Sequence, residues 1–201
     1  MKNSARCTTL ALAFALATTL GVTTVASAQA GAASTPCPAG PVKMYQPNHA
    51  LTSPVQMSFT QLDKKTVTIY YSAPSMHCRE VFGKLVPYAT VWRTGANPST
   101  TIVSEIPLKI GTLDVPAGAH TLYTLPSEPG KPWLLIVNNE TGQWGTVYHE
   151  DKDLGRTPMT ASELPAPQEM MSITLERKTP TSAELHIRWD KLDESVPVTA
   201  Q

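Results

Sequence analysis

A strict period of two near the end of the chain constrains the fold more than any other feature. Ala183, Leu185, Ile187 and Trp189 alternate with Ser182, Glu184, His186, Arg188 and Asp190. Successive side chains of an extended strand point to opposite faces, so this pattern makes one apolar and one polar face. A helix would scatter the same residues around its circumference. Met171, Ile173 and Leu175 repeat the pattern just upstream, and Val67, Ile69, Tyr71 and Val55, Met57, Phe59 repeat it early in the chain. These runs predict half-buried strands of antiparallel sheets. Trp133-Leu134-Leu135-Ile136-Val137 is apolar throughout and predicts a central strand covered on both faces.

Turn chemistry falls between these runs, at Pro116-Ala117-Gly118, Glu128-Pro129-Gly130, Asn138-Asn139-Glu140-Thr141-Gly142 and Lys178-Thr179-Pro180. Eighteen prolines and no sustained period of 3.6 leave room for at most one short helix, around Arg79–Lys84. The expected fold is all-β: an antiparallel β-sandwich or a barrel-like sheet pair. No internal repeat is visible.

The N-terminus reads as an export signal over residues 1–28. Lys2 and Arg6 precede an uncharged run from Thr9 to Val25, and Ala26-Ser27-Ala28 offers the small-x-small cleavage pattern, with Ala28-Gln29-Ala30 as an alternative. The run is rich in Ala and Thr, and no cluster of positive charge follows it, which argues against a membrane anchor. The expected location is periplasmic or secreted, with a mature start at Gln29 or Gly31. Residues 29–51 carry Pro36, Pro38, Pro41 and Pro47 and few large apolar side chains, which predicts a flexible arm. The folded domain is expected over 52–201. With Lys2 and Arg6 removed, the chain keeps 14 basic residues against 16 acidic, which argues against nucleic acid as a partner. No later segment is apolar enough to span a bilayer. Cys37 and Cys78 form an even pair, and an oxidising compartment could join them; the alternative is a small buried residue or a thiol activated by Arg79 at Cys78.

Residues 74–101 contain Val91-Trp92-Arg93-Thr94-Gly95-Ala96-Asn97, and this string resembles the bacterial family of unknown function DUF2911. Val115-Pro116-Ala117-Gly118, Tyr123-Thr124-Leu125-Pro126, Gln143-Trp144-Gly145 and Asp153-Leu154-Gly155-Arg156 resemble it too, so the likeness runs from about Ser53 to Trp189. It implies an exported, mostly β protein and brings no established activity. This chain departs from the family pattern at Cys78 and Ala89, where Gly is usual, and at His120, where Tyr is common.

No nucleophile elbow, zinc-protease helix, paired-cysteine or phosphate-loop motif occurs, so catalytic residues are unknown and no cofactor is implied. His149-Glu150-Asp151 has the chemistry of metal ligands, but neighbouring strand residues face opposite ways, so no metal is assigned. His186 falls on a polar strand face and is expected in solvent. The candidate binding set is Arg79, Tyr88, Trp92, Arg93 and Asn97: arginine forks beside aromatic rings suit a sugar, a carboxylate or a peptide end. The bland account has both arginines satisfying loop carbonyls or pairing with Glu80 and Glu105. Trp144, Tyr148 and Arg156 form a second such set, in which Trp144 also reads as a core residue against a turn. The functional expectation is a module that binds a small polar ligand, a saccharide or a peptidoglycan fragment. The alternatives are a structural or interaction protein, and a hydrolase-like enzyme whose acid is unassigned. The sequence leaves the oligomeric state open.

Overall fold

The computed structural model describes residues 53–201; the expected signal segment (1–28), the expected arm (29–51) and Cys37 lie outside the described residues. Ten strands follow in order: β1 (Val55–Leu62), β2 (Lys65–Ser72), β3 (Thr100–Ser104), β4 (Leu108–Ile110), β5 (Leu113–Val115), β6 (Gly118–Leu125), β7 (Leu134–Asn138), β8 (Asp153–Pro158), β9 (Thr160–Arg177) and β10 (Ser182–Ala200). They make two antiparallel sheets, one in the order β1-β2-β3-β6-β7-β8 and one in the order β5-β4-β10-β9. Both sheets keep free edges, so the architecture is a sandwich and not a barrel. Arg79–Lys84 is not a helix but a run of turns, with Val86 N–H donating to Val81 O at 2.8 Å. Among the described residues the one helical element is a 3-10 turn at Glu150–Lys152, and no helix is long and apolar enough to cross a membrane.

The core lies between the sheets. Val67, Ile69, Ile102, Leu122, Leu135 and Val137 face Met171, Ile173, Leu185, Ile187 and Trp189. β7 is buried on both sides, as its unbroken apolar run predicts. Its outer face is covered by the segment 139–152, which Tyr123 holds down by donating its hydroxyl to Val147 O at 2.6 Å.

β1 differs from the expectation. Its alternation does mark a strand, but Val55, Met57 and Phe59 point away from the core and are 54–69% exposed. The cause is the β1–β2 connection. Asp63 and Lys64 both have positive φ, 48° and 62°, the two-residue hairpin turn whose twist suits paired strands. That turn sets Leu62 opposite Lys65 and Ser58 opposite Ile69. Since Ile69 faces the core, Ser58 and Thr60 do too, and the apolar set is turned outward. Ser58 uses its inward position to accept a hydrogen bond from Leu175 N–H at 3.0 Å, which ties β1 to β9.

β10 carries a second irregularity. The pairing with β9 shifts on both sides of Asp190, whose φ is 53°. Between the pairs Arg188–Ser172 and Leu192–Glu163, β9 takes nine residue steps against four in β10, and the inward face of β10 changes parity across this irregularity. Before it the odd positions Ala183, Leu185, Ile187 and Trp189 face the core. After it the even positions Leu192, Val196 and Val198 do. Glu194 shares that even register and is therefore turned into the sandwich, 1% exposed.

Candidate functional site

Between β2 and β3 the chain makes a long excursion, residues 73–99, that closes one end of the sandwich. Trp92 is pinned to β6 by paired backbone hydrogen bonds with Thr124, at 2.8 and 2.9 Å. Just after it, Thr94 and Asn97 take left-handed backbone, with φ of 53° and 59°. Thr100 Oγ1 donates to Thr94 O at 2.8 Å and Ala96 N–H to Ser72 O at 3.1 Å, so the turn is fixed from both sides. A Cβ at Gly95 would stand 3.0 Å from that same Ser72 carbonyl, which is why the sequence has Gly there.

A second segment meets this turn. Gly145 N–H donates to Asn97 O at 3.1 Å, and a Cβ at Gly145 would come within 2.5 Å of Arg93 Cδ and 2.8 Å of Asn97 O. Only glycine allows the 143–148 segment to lie against the arginine stem. The outcome is a cavity of about 420 Å³ walled by Arg79, Trp92, Arg93 and Asn97 from one segment, and by Tyr148 with the Gly145-Thr146 backbone from the other. No aspartate, glutamate or histidine lines it among the described residues.

Arg93 is the distinctive member. It is half-buried, and burial lowers its affinity for its proton, yet it stays charged at any ordinary pH. Among the described residues its one hydrogen bond runs from Nε to Gly95 O at 3.2 Å, which leaves its terminal amino groups without a partner there. Neither Glu80 nor Glu105 pairs with it; Glu105 instead accepts from Thr66 N–H at 2.6 Å. Arg79 follows the bland expectation more closely, donating to the carbonyls of Ser75 and Met76 at 2.7 and 2.8 Å while still lining the cavity.

The other expected residues divide. Arg156 has no free fork: it donates to Tyr148, Glu150 and Asp153 at 2.7–3.1 Å, on the outer face of β8. Tyr148 donates to Asp153 at 2.6 Å, and burial, followed by that bond and the charge of Asp153, pushes its hydroxyl up to about 12. Arg156 therefore holds Tyr148 in place and does not reach the cavity. Trp144 is 49% exposed and belongs neither to the core nor to the cavity lining, correcting both expectations for it. Tyr88 lines a different cavity. Trp92 gives its faces to other rings, stacked on Trp189 at 6.0 Å and edge-on to Trp133 at 6.4 Å.

Cys78 is disulfide-bonded, which removes it from thiolate chemistry; Cys37 lies outside the described residues. Cys78 and Ala89 both take left-handed backbone, φ 58° and 56°, at the two positions where the family resemblance has Gly. The turns persist here with side chains, at some cost in strain. His186 is not solvated but buried, its Nδ1–H donating to Asp193 Oδ1 at 2.9 Å, and Asp193 also accepts from Arg188 Nε at 2.8 Å. His149 pairs with Glu140 at 2.7 Å. No group of three or more metal-ligating side chains converges among the described residues.

The sequence reading missed Glu194, which lines a second cavity of about 500 Å³ with Phe82, Tyr88, Trp133 and Leu192. The signal was present, since Leu192, Glu194, Val196 and Val198 alternate as a core face with a carboxylate in it. Recognising it required locating the bulge.

The geometry defines the class by fold: a two-sheet antiparallel β-sandwich with a cavity lined by two arginines at one end. Residues 53–198 match the family described as Protein of unknown function (DUF2911), and the chain belongs to that family. No curated protein and no solved structure matches the chain.

Proposed function

We propose that this chain is an exported binding module for a small polar ligand bearing a carboxylate, such as an acidic saccharide or a peptidoglycan fragment. The observation that carries the reading is the convergence of Arg79 and Arg93 on one cavity without a lining acid, with the terminal amino groups of Arg93 unused among the described residues. A planar fork facing a cavity of this size suits a carboxylate held by two parallel hydrogen bonds. Asn97 and the backbone of Gly145 and Thr146 add polar edges for hydroxyl or amide groups, and Trp92 and Tyr123 supply apolar wall. The hydrolytic alternative requires an acid in the same cleft, and the buried carboxyl of Glu194 lines the other cavity. The interaction alternative draws on the exposed strip of Val55, Met57 and Phe59 on β1.

A thermal-shift screen of the protein against muropeptides, uronic acids and neutral sugars tests the reading. A ligand at 100 times its Kd stabilises by about 2.7 kcal/mol. Arg93→Lys keeps the charge and loses the fork. It is expected to abolish the shift while costing the free protein less than about 1 kcal/mol, because a single hydrogen bond is lost. A variant that is strongly destabilised yet still binds would show Arg93 to be structural.

A further inference from the structure

The second cavity lies across a wall of four rings from the first. Phe82 and Trp133 line it, Trp92 and Trp189 line the arginine cavity, and the rings pack on one another at 5.2–6.4 Å. Its apolar surface is Phe82, Trp133 and Leu192. Glu194 enters it from the core face of β10, 1% exposed, and neither carboxyl oxygen has a hydrogen-bond partner among the described residues. Folded proteins seldom leave such a group without a partner, because removing it from water uncompensated is costly. Its neighbour Asp193 shows the ordinary arrangement, with both oxygens engaged by His186 and Arg188.

Around Glu194 the charge is acidic. Glu128, Glu163 and Asp190 line the cavity against Lys131 and Lys191, and Lys131 is held by Glu128 at 3.0 Å. The bulge that turns Glu194 inward places Asp190 in left-handed backbone beside the same cavity. Without that strained residue the even register would face outward and the carboxyl would be in solvent. Strain kept beside a cavity, in order to aim one carboxyl into it, is characteristic of binding sites.

We propose that this second cavity binds an organic cation, an amine or amidine on an apolar or aromatic body, with Glu194 as its anchoring carboxylate. Aromatic walls and a buried carboxylate complement such a group at both ends, ring faces for the body and charge for the head. A divalent metal fits less well, since it demands several converging oxygen ligands and none converge here among the described residues.

Benzamidine is the probe, and benzamide, nearly the same shape but uncharged, is its control. Calorimetric titration of the full chain should give saturable 1:1 binding of benzamidine, with benzamide weaker by at least about tenfold. In an NMR titration the indole signal of Trp133 should shift with benzamidine. Glu194→Gln preserves shape and removes the anionic form, and should weaken benzamidine by at least about tenfold while the fold's amide spectrum is retained. Absence of saturable benzamidine binding overturns the proposal. So does equal binding of the two probes, which would make the group a hydrogen-bond donor to neutral ligands, and so does unchanged affinity in the Gln variant.

Discussion

The two cavities share one aromatic wall and are opposite in charge. The first presents arginines with no lining acid; the second presents four carboxyl-bearing residues and two lysines. They also resolve burial differently. Arg93 is only half-buried and keeps one protein hydrogen bond, so its remaining donors can be met by water until a ligand arrives. Glu194 is 1% exposed and has no hydrogen-bond partner among the described residues, so the protein answers by holding its proton. Burial first, and the adjacent Asp193 charge second, raise its carboxyl to about 7. A charge that cannot leave and a charge that can be neutralised thus occupy the two sides of the same four rings.

The harshest way to break the comparison is to remove the wall. Trp189 is 2% exposed and touches both Trp92 and Phe82. Trp189→Ala is expected to cost about 4 kcal/mol, read as a lower urea midpoint.

The next effect sharpens it through pH. Glu194 holds its proton up to about 7 in the folded chain, against an ordinary value of 4.5. Between those values the folded state binds more protons than the unfolded, so stability falls as pH rises and levels off above about 7, with a loss of up to about 3 kcal/mol. Asp193, Asp190, Glu163, Glu128, Lys131 and Lys191 are the other charged groups near it, and Glu194→Gln leaves all of them in place. The Gln variant should match the wild type near pH 4 and exceed its stability near pH 8 by about 2–3 kcal/mol. Urea titrations at the two pH values check this; a gap that does not change with pH would mean Glu194 is not the group responsible.

The smallest effect belongs to the arginine side. Gly145→Ala drives a methyl against Arg93 Cδ and the Asn97 carbonyl and should cost about 1–2 kcal/mol. It should also weaken whatever ligand the arginine cavity takes, while benzamidine binding across the wall is unchanged.

How much of this was legible in the sequence follows from where parity is kept. Met171 to Leu175 and Ala183 to Trp189 run unbroken and faced the core as their alternation indicated. β1 alternates just as cleanly, yet its apolar residues lie outside, because a hairpin partner with more to bury, β2, dictated the register. Alternation identifies a strand but not which face wins. Arg93 could be singled out because an arginine in an apolar string needs a partner. Glu194 could not, because the register shift around Asp190, where β9 outruns β10, exchanged odd for even. Arg156 and Tyr148 were recognised as a set, but their mutual bonds depend on a fold that brings β8 under the 139–152 segment.

The long strand β10 also sets the order in which the molecule can be completed. It pairs with β9 along one side and with β4 at its far end, and β5 joins that sheet only through β4. Until residues 182–200 have been synthesised, the second sheet has no middle. β4 and β5, three residues each, form a hairpin too small to persist alone. The six strands of the first sheet would meanwhile expose Ile69, Ile102, Leu122 and Leu135 to solvent. Folding from the N-terminus is therefore expected to wait at an uncovered half. The topology places the completing step late and makes it slow, as such long-range pairings are, since the last strand must enter between β4 and β9.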